Sequence, residues 1–183
     1  LGIGGAFFAA YIGVTALSDE EKNHTAEFLF SHPVSRRRII TEKLVRIMLQ
    51  ILILNAVCIL TALASAAVIG EEFLIEEFLL LHLAYLLLQA ETVSICFCLS
   101  AFLRRSGIGI GLELAAILYF LNIIANITEA AQWLKYITPF GYAEAADIIT
   151  NSRIDPVPAA IGGAVTLAGI AAAFFKYCSK DIY

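Results

Sequence analysis

Long apolar runs separated by short charged stretches dominate the pattern of this chain. Five runs cover residues 1–17, 43–69, 79–103, 107–127 and 156–176. A bilayer core about 30 Å thick needs roughly 20 apolar residues of helix, and these runs lack the alternation that is typical of barrel strands. Because lipid offers no hydrogen-bond partners to backbone amides, we predict that all five are membrane-spanning helices. The pattern thus predicts an all-α, polytopic membrane protein with a single transmembrane domain over residues 1–183.

The composition supports this class. Of the 183 residues, 60% are hydrophobic and 15% are charged, and the mean hydropathy of +0.84 exceeds what a soluble protein surface tolerates. The formal net charge of −4 says little about partners, because the charges are confined to short stretches between the apolar runs. The four cysteines form no C-x-x-C pair, so neither a disulfide framework nor a metal site is expected.

The first run opens at Leu1, without a methionine or a charged flank. A complete membrane protein would rarely begin in this way, and the run is itself nearly long enough to span a bilayer. We therefore expect the sequence to be a fragment that lacks its N-terminal part, rather than a mature chain left by cleavage of a signal peptide.

The lysines and arginines between the runs predict how the helices are oriented. Basic residues follow the first, third and fifth runs, and the positive-inside rule places such connections in the cytoplasm. These residues are Arg36, Arg37, Arg38, Lys43, Arg46, Arg104, Arg105, Lys176 and Lys180. The other two connections contain only Lys135 and Arg153, so we predict that they face outward. Cytoplasmic and outer connections then alternate across all five spans.

The charged stretch after the first run predicts a short helix of its own. Ser18 and Glu21 have the S-x-x-E spacing of a capping box, which predicts that a helix begins at Asp19. The acidic first turn suits the helix dipole, and Pro33 is expected to end the helix. Amphipathic helices commonly lie on the membrane surface. Anionic lipid would repel this acidic turn, however, which favours a protein partner for residues 19–33.

The stretch "EEKNHTAEFLFSHPVSRRRIITEKL", residues 20–44, resembles a segment of the type-two ATP-binding-cassette (ABC) permeases. That segment reads roughly glutamate, Gly-Thr, Glu, two apolar residues, Ser, Pro-Val-Ser-Arg and a lysine before the next span. The matching positions are Glu21, Thr25, Glu27, Phe28, Leu29, Ser31, Pro33, Val34, Ser35, Arg36 and Lys43. His24 stands where the family usually has glycine. The stretches "YITPFGYAEAADII" and "KYCSKDIY" also resemble that family, so the likeness covers nearly the whole chain.

The resemblance implies the permease subunit of an ATP-driven exporter in a bacterial or archaeal inner membrane. Residues 19–33 would be the coupling helix, which docks on a separate ATPase subunit, and a second permease copy would complete the transporter. The partner-binding residues would be Glu21, Thr25, Glu27, Phe28, Leu29, Pro33 and Arg36. The family has six spans, so the five runs would be its second to sixth. The chain has no G-x-x-x-x-G-K-[ST] loop, so ATP and Mg²⁺ would be bound by the partner. Neither a cofactor in this chain nor a nucleic-acid partner is expected.

Polar residues inside the runs are candidates for a translocation pathway. Glu91 lies near the middle of the third run, Glu113 near the start of the fourth and Asn122 in its second half. A charged side chain costs roughly 2.5–3.5 kcal/mol at the centre of a bilayer, so Glu91 needs a partner or water. Each residue has an alternative structural role, as a neutral acid or an amide bonded between helices. We interpret Asn55 and Asn126 as amides that hydrogen-bond between helices, and not as pathway residues.

The outer connection, residues 128–155, combines aromatic residues with helix breakers. Pro139 and Gly141 predict that it is divided into short helices. Its aromatic residues suit the membrane interface, where amphipathic rings settle. They are Trp133, Tyr136, Phe140 and Tyr142. The segment either caps the outer mouth of the pathway or simply anchors the chain at the interface, and the resemblance favours a cap.

Two other functions remain open. An intramembrane enzyme would use His82, Glu91 and Glu113, but on one helix His82 and Glu91 project to nearly opposite sides. A non-transporting assembly or immunity protein would use the charged stretch only to recruit a cytoplasmic partner.

Overall fold

The computed structural model describes residues 1–22, 35–70, 74–103 and 107–179, excluding the side chains of residues 19–22. Within these ranges the chain forms six α-helices and one 3-10 helix, with no strand. The α-helices are α1 (Gly2–Lys22), α2 (Arg36–Ile69), α3 (Ile75–Phe102), α4 (Ile108–Ile127), α5 (Ala145–Asn151) and α6 (Pro156–Ser179). The 3-10 helix, Glu129–Tyr136, precedes α5.

The long helices have the lengths and composition of membrane spans. Among the described residues, α2, α3, α4 and α6 are long and apolar enough to cross a bilayer. The apolar part of α1, Gly2–Ser18, is shorter than these four. These findings confirm the predicted all-α, polytopic membrane architecture.

α1 does not end where the sequence suggested. It continues through Ser18 to Lys22 without interruption, so the predicted helix start at Asp19 is wrong. Ser18 is buried, and its Oγ donates a hydrogen bond to the carbonyl of Val14 at 2.7 Å. A serine hydroxyl can bond either a free amide at a helix start or the carbonyl four residues earlier. Here it takes the second option, because the residue lies within a packed helix and not at its beginning.

α2 and α3 both begin ahead of the predicted spans. Ser35 occupies the position before the first residue of α2, although its side chain makes no capping hydrogen bond. An exposed ion pair between Arg38 and Glu42, with 2.8 Å between Nε and Oε1, lies on the added turns. α3 starts at Ile75 with Glu76 and Glu77 in its first turn. These two glutamates, which precede the predicted third span, therefore belong to α3 itself.

α3 is the central helix of the bundle, and small residues let its neighbours approach closely. Gly13 of α1 lies against Val93 and Cys96, and Gly169 of α6 lies against Ser94. A Cβ atom on either glycine would fall within about 3 Å of these groups. Close approach through small residues is typical of helix packing in lipid, where hydrophobicity itself does not bring helices together.

α2 lies at the periphery. Its buried residues are confined to the first part of the helix, from Ile39 to Asn55. The remainder exposes Val57, Leu60, Val68 and Ile69. An apolar surface of this kind belongs in contact with lipid or with another protein chain.

The helices alternate in direction, so their ends gather at two ends of the bundle. At one end α1, α3 and α6 finish and α2 begins. We call it the basic end, because the described side chains there include Arg36, Arg37, Arg38, Lys43 and Lys176. At the opposite end residues 128–155, here called the connecting segment, join α4 to α6. We call this the acidic end, after Glu76, Glu77, Glu129, Glu144, Asp147 and Asp155.

Candidate functional site

At the basic end, the two helices that flank residues 23–34 are joined to each other. The Nζ atom of Lys43 in α2 donates a hydrogen bond to the carbonyl of Ala16 in α1. Leu17 and Ile40 belong to one apolar cluster that also takes in the last turns of α3 and the buried Ala173 of α6. The described residues on the two sides of residues 23–34 are therefore held at one place, where the ends of two other helices, α3 and α6, are also packed.

Most of the predicted coupling residues lie outside the described residues. Thr25, Glu27, Phe28, Leu29 and Pro33 fall in the range 23–34. Glu21 belongs to the last turn of α1, and its side chain is not among those described. Arg36 is the half-buried first residue of α2. The docking role of this set stays a prediction.

Glu91 lies in the bundle interior, and its carboxylate is held by the connecting segment. The residue is 3% exposed. Its Oε2 accepts a hydrogen bond of 2.9 Å from the hydroxyl of Tyr142. Gly162 of α6 lies directly against the same oxygen and the ring of Tyr142, so that a Cβ atom there would overlap both. One carboxylate thus joins α3, α6 and the connecting segment.

Tyr142 is a core residue of this contact and not an interfacial ring. It is 4% exposed, and Phe140 beside it is also buried. Burial, and next the neighbouring Glu91 carboxylate, raise the pKa of Tyr142, so the phenol stays protonated and acts as the donor. The prediction that these two rings settle at the membrane interface is therefore wrong. Trp133 and Tyr136, which are largely exposed, keep that interpretation.

α4 is also held by the connecting segment. Oε2 of Glu144 accepts hydrogen bonds from Nδ2 of Asn122 at 3.3 Å and of Asn126 at 3.0 Å. The hydroxyl of Thr138 donates to the carbonyl of Leu118 at 2.9 Å. The two asparagines thus bind elements together, as the structural interpretation expected of them. Since Tyr142 and Glu144 are near neighbours, the structure brings Glu91 and Asn122 to one short stretch of chain.

A third buried polar contact joins α2 to α3. Nδ2 of Asn55 donates to Oε1 of Gln89 at 2.7 Å, which confirms Asn55 as an interhelical hydrogen-bond residue. Oδ1 of Asn55 and Nε2 of Gln89 have no hydrogen-bond partner among the described atoms. Gly5 of α1 lies against the Gln89 amide, so that three helices meet at this pair.

The remaining predicted residues are not part of these contacts. Glu113 lies exposed on the outward face of α4, apart from the buried carboxylate of Glu91. Nδ1 of His82 lies 3.0 Å from the carbonyl of Phe78 in its own helix. No group of histidine, cysteine and acidic side chains suited to a metal ion occurs in the described part of the chain.

Sequence reasoning did not find the partners Tyr142, Glu144 and Gln89. A buried acid signals that it needs a partner, but 51 residues separate Glu91 from Tyr142, and no spacing rule joins them. The available signal was the presence of hydroxyl and carboxylate groups in a segment interpreted as a cap. These groups indicate which segment contains the partner of Glu91, but they do not indicate which residue it is.

The described contacts form an all-helical membrane bundle with a charged connection at one end and a folded segment at the other. The sequence matches the family described as "ABC-2 family transporter protein" over residues 3–182. No curated protein and no solved structure matches the chain. Because the family match runs over almost the entire sequence, the chain belongs to the ABC-2 transporter family and is a membrane subunit of an ABC transport system.

Proposed function

We propose that the chain is the permease subunit of an ATP-driven exporter, coupled through residues 19–33 to a separate ATPase subunit that binds ATP and Mg²⁺. The observation that supports this most is the geometry of the basic end. The helices on either side of residues 23–34 are joined by Lys43 and Ala16 and packed on the ends of α3 and α6. A partner that moves this connection therefore acts on four helices together.

α1 is suited to carry such a movement into the bundle. It is a continuous helix from Gly2 to Lys22, and it packs on α3 through Gly13 and on α4 through Val14, which lies against Gly111. To change a two-state ratio from 1:99 to 99:1, nucleotide binding must supply about 5.5 kcal/mol of differential free energy. A rigid helix in close contact with two spans can transmit that difference, whereas a helix lying on lipid would dissipate it.

A second permease copy is part of the proposal, and the outward face of α4 supports it. The exposed residues of this face are spaced alternately by three and four positions, as in a helix–helix seam. They are Ile110, Glu113, Ile117, Phe120, Ile124 and Ile127. A carboxylate such as Glu113 is costly in contact with lipid, so this face is better suited to another protein chain.

The basic end is the cytoplasmic end in this proposal, and the membrane is a bacterial or archaeal inner membrane. The described residues support the orientation by their charge, since basic side chains predominate where α2 begins and α6 ends. Glu91 and Asn122 then act on the outer side, where they hold the connecting segment in the described arrangement.

The test uses the permease co-expressed with its proposed ATPase subunit. Phe28→Ala and Glu27→Ala should leave the permease in the membrane but abolish its stimulation of ATP hydrolysis. Leu74→Ala, which changes an exposed apolar residue at the acidic end, is the control and should leave the stimulation intact. Unchanged stimulation in both Phe28→Ala and Glu27→Ala would refute the coupling role.

Two further measurements separate transport from mere recruitment. A cysteine placed at Thr25 should react with a membrane-impermeant reagent only from the cytoplasmic side. Reconstituted complexes should hydrolyse ATP faster when cargo is present, whereas a non-transporting assembly or immunity protein would bind its partner without cargo-dependent turnover.

A further inference from the structure

The connecting segment forms a cavity of about 270 Å³, open to the surface, at the acidic end of the bundle. Its walls come from the 3-10 helix, from α5 and from the beginning of α6. Drug-sized ligands usually occupy pockets of about 300–1,000 Å³, so this cavity suits a small polar group and not a whole lipid.

The cavity contains both signs of charge. Lys135 and Arg153 provide cations, and Asp147 and Asp155 provide anions. Nζ of Lys135 lies 3.6 Å from Oδ2 of Asp147, which is an ion pair but too long for a good hydrogen bond. Asp155 uses Oδ1 to accept from the amide of Val157. Within the described part of the chain, Arg153 makes no hydrogen bond or ion pair.

Aromatic side chains complete the lining. Trp133 and Tyr136 are 59% and 47% exposed, and the buried Tyr142 also contributes to the wall. An aromatic face attracts a cationic group, and the amphipathic rings of tryptophan and tyrosine settle where lipid headgroups lie.

We propose that this cavity binds a small zwitterion that carries an ammonium group and a phosphate, such as a phosphoethanolamine headgroup. The ammonium would replace Lys135 as the partner of Asp147 and face the Trp133 ring. The phosphate would bind Lys135 and Arg153. A single anion or cation would leave one half of this charge set without a partner, so both groups are needed for tight binding.

Tyr142 gives the site a connection to the bundle interior. The same side chain lines the cavity and donates to Glu91 between the spans. A ligand in the cavity therefore contacts the residue that holds the connecting segment on α3. This places the site where occupancy can stabilise the described arrangement of the segment.

The test measures fluorescence of Trp133, the only tryptophan in the chain, in protein purified in a detergent with an uncharged headgroup. Phosphoethanolamine should change the emission saturably. Inorganic phosphate and ethanolamine, added separately, should bind at least about tenfold more weakly, because each satisfies only part of the site. Equal binding of phosphate alone, or a response that never saturates, would overturn the proposal.

Charge variants give a second readout. Lys135→Gln and Arg153→Gln should each raise the apparent Kd for phosphoethanolamine about tenfold. Arg37→Gln removes one exposed positive charge at the basic end and should have no effect. Because Arg153 has no described partner to lose, its variant should fold normally. An unchanged Kd in Arg153→Gln together with Lys135→Gln would also overturn the proposal.

The source of the zwitterion is decided in nanodiscs. If the site holds a lipid headgroup, discs of phosphatidylethanolamine should reduce binding of soluble phosphoethanolamine relative to discs of phosphatidylglycerol. If the site serves a soluble molecule, the two discs should give the same Kd. The experiment contains no ATPase and no cargo, so its outcome is independent of the proposed export function.

Discussion

The two ends of the bundle are held together by different kinds of contact. At the basic end an apolar layer predominates, in which Leu17, Ile40 and Ala173 share one cluster, beside the hydrogen bond from Lys43 to the carbonyl of Ala16. At the acidic end an apolar cluster that includes Phe140 and Ile148 is reinforced by buried hydrogen bonds, from Tyr142 to Glu91 and from Thr138 to the carbonyl of Leu118. Apolar contacts are not directional, so a helix that slides can exchange one apolar neighbour for another. A hydrogen bond loses most of its energy when donor and acceptor separate or turn.

This difference indicates how a conformational change could be distributed. The basic end can accept small helix displacements, whereas the acidic end favours one arrangement until its hydrogen bonds break. In a transporter, input at the first end and resistance at the second would create two discrete states instead of a continuous deformation. The contacts that resist are then the ones whose removal should matter most.

The largest effect is expected at Gly141, in the turn between the 3-10 helix and α5. A Cβ atom there would overlap the carbonyl of Lys135, which is backbone and cannot rotate away. Gly141→Ala should therefore displace the connecting segment and lower the free energy of unfolding by about 3 kcal/mol or more. The free energy of unfolding is measured by unfolding the protein in mixed micelles. Gly109→Ala is the control, because beyond the adjacent residues and the local helix backbone no described atom lies within 4 Å of the added methyl. Equal stability of the two variants would contradict the described turn.

A smaller effect is expected where α6 meets Glu91. Gly162→Ala places a methyl group against the carboxylate and the ring of Tyr142, and relieving that overlap should cost about 2 kcal/mol. Gly163→Ala is a matched control in the same helix, because the added methyl would meet no described atom within 4 Å beyond the adjacent residues and the local helix backbone. It should be neutral or stabilising, since alanine favours helix over glycine by up to about 1 kcal/mol. Similar losses of stability in Gly162→Ala and Gly163→Ala would contradict the described contact between Gly162 and Glu91.

The architecture could be predicted from the sequence because its signal is local. An apolar run of sufficient length has few structures available in lipid, so the helices α2, α3, α4 and α6 follow from composition alone. The continuation of α1 past Ser18 could not be predicted in this way. The same S-x-x-E letters fit a helix start and a helix interior, and burial decided between them.

The interior contacts could be predicted only in part. Glu91 and Asn55 were recognisable as buried polar residues that need partners. Their partners, Tyr142 and Gln89, are distant in sequence and are selected by the packing of α1, α3 and α6 around small residues. Such packing depends on three-dimensional shape, which periodicity and composition do not contain.

The hydrogen bond between Tyr142 and Glu91 should have an intermediate effect. Tyr142→Phe removes the donor and leaves the buried Glu91 without this partner, which should cost about 1–2 kcal/mol. Glu91→Gln keeps a carbonyl oxygen that can accept the hydrogen bond. This variant should therefore lower the free energy of unfolding by less than half as much as Tyr142→Phe does. Hydrogen exchange of the connecting segment should increase in Tyr142→Phe more than in Glu91→Gln. The reverse order would show that the charge of Glu91, and not its hydrogen bond, holds the segment.

The smallest effect is expected at the basic end, in the ion pair of Arg38 and Glu42. Both side chains are largely exposed, and the pair is an ordinary i,i+4 contact on one turn of α2. Glu42→Gln should therefore change the free energy of unfolding by less than about 0.5 kcal/mol at moderate salt, because water screens the charges and holding both side chains costs entropy. Unfolding of this variant and of Tyr142→Phe in the same micelles compares a polar contact at each end. A loss in Glu42→Gln as large as in Tyr142→Phe would show that this exposed pair within α2 contributes as much as the buried bond between Tyr142 and Glu91, and it would contradict the contrast between the two ends.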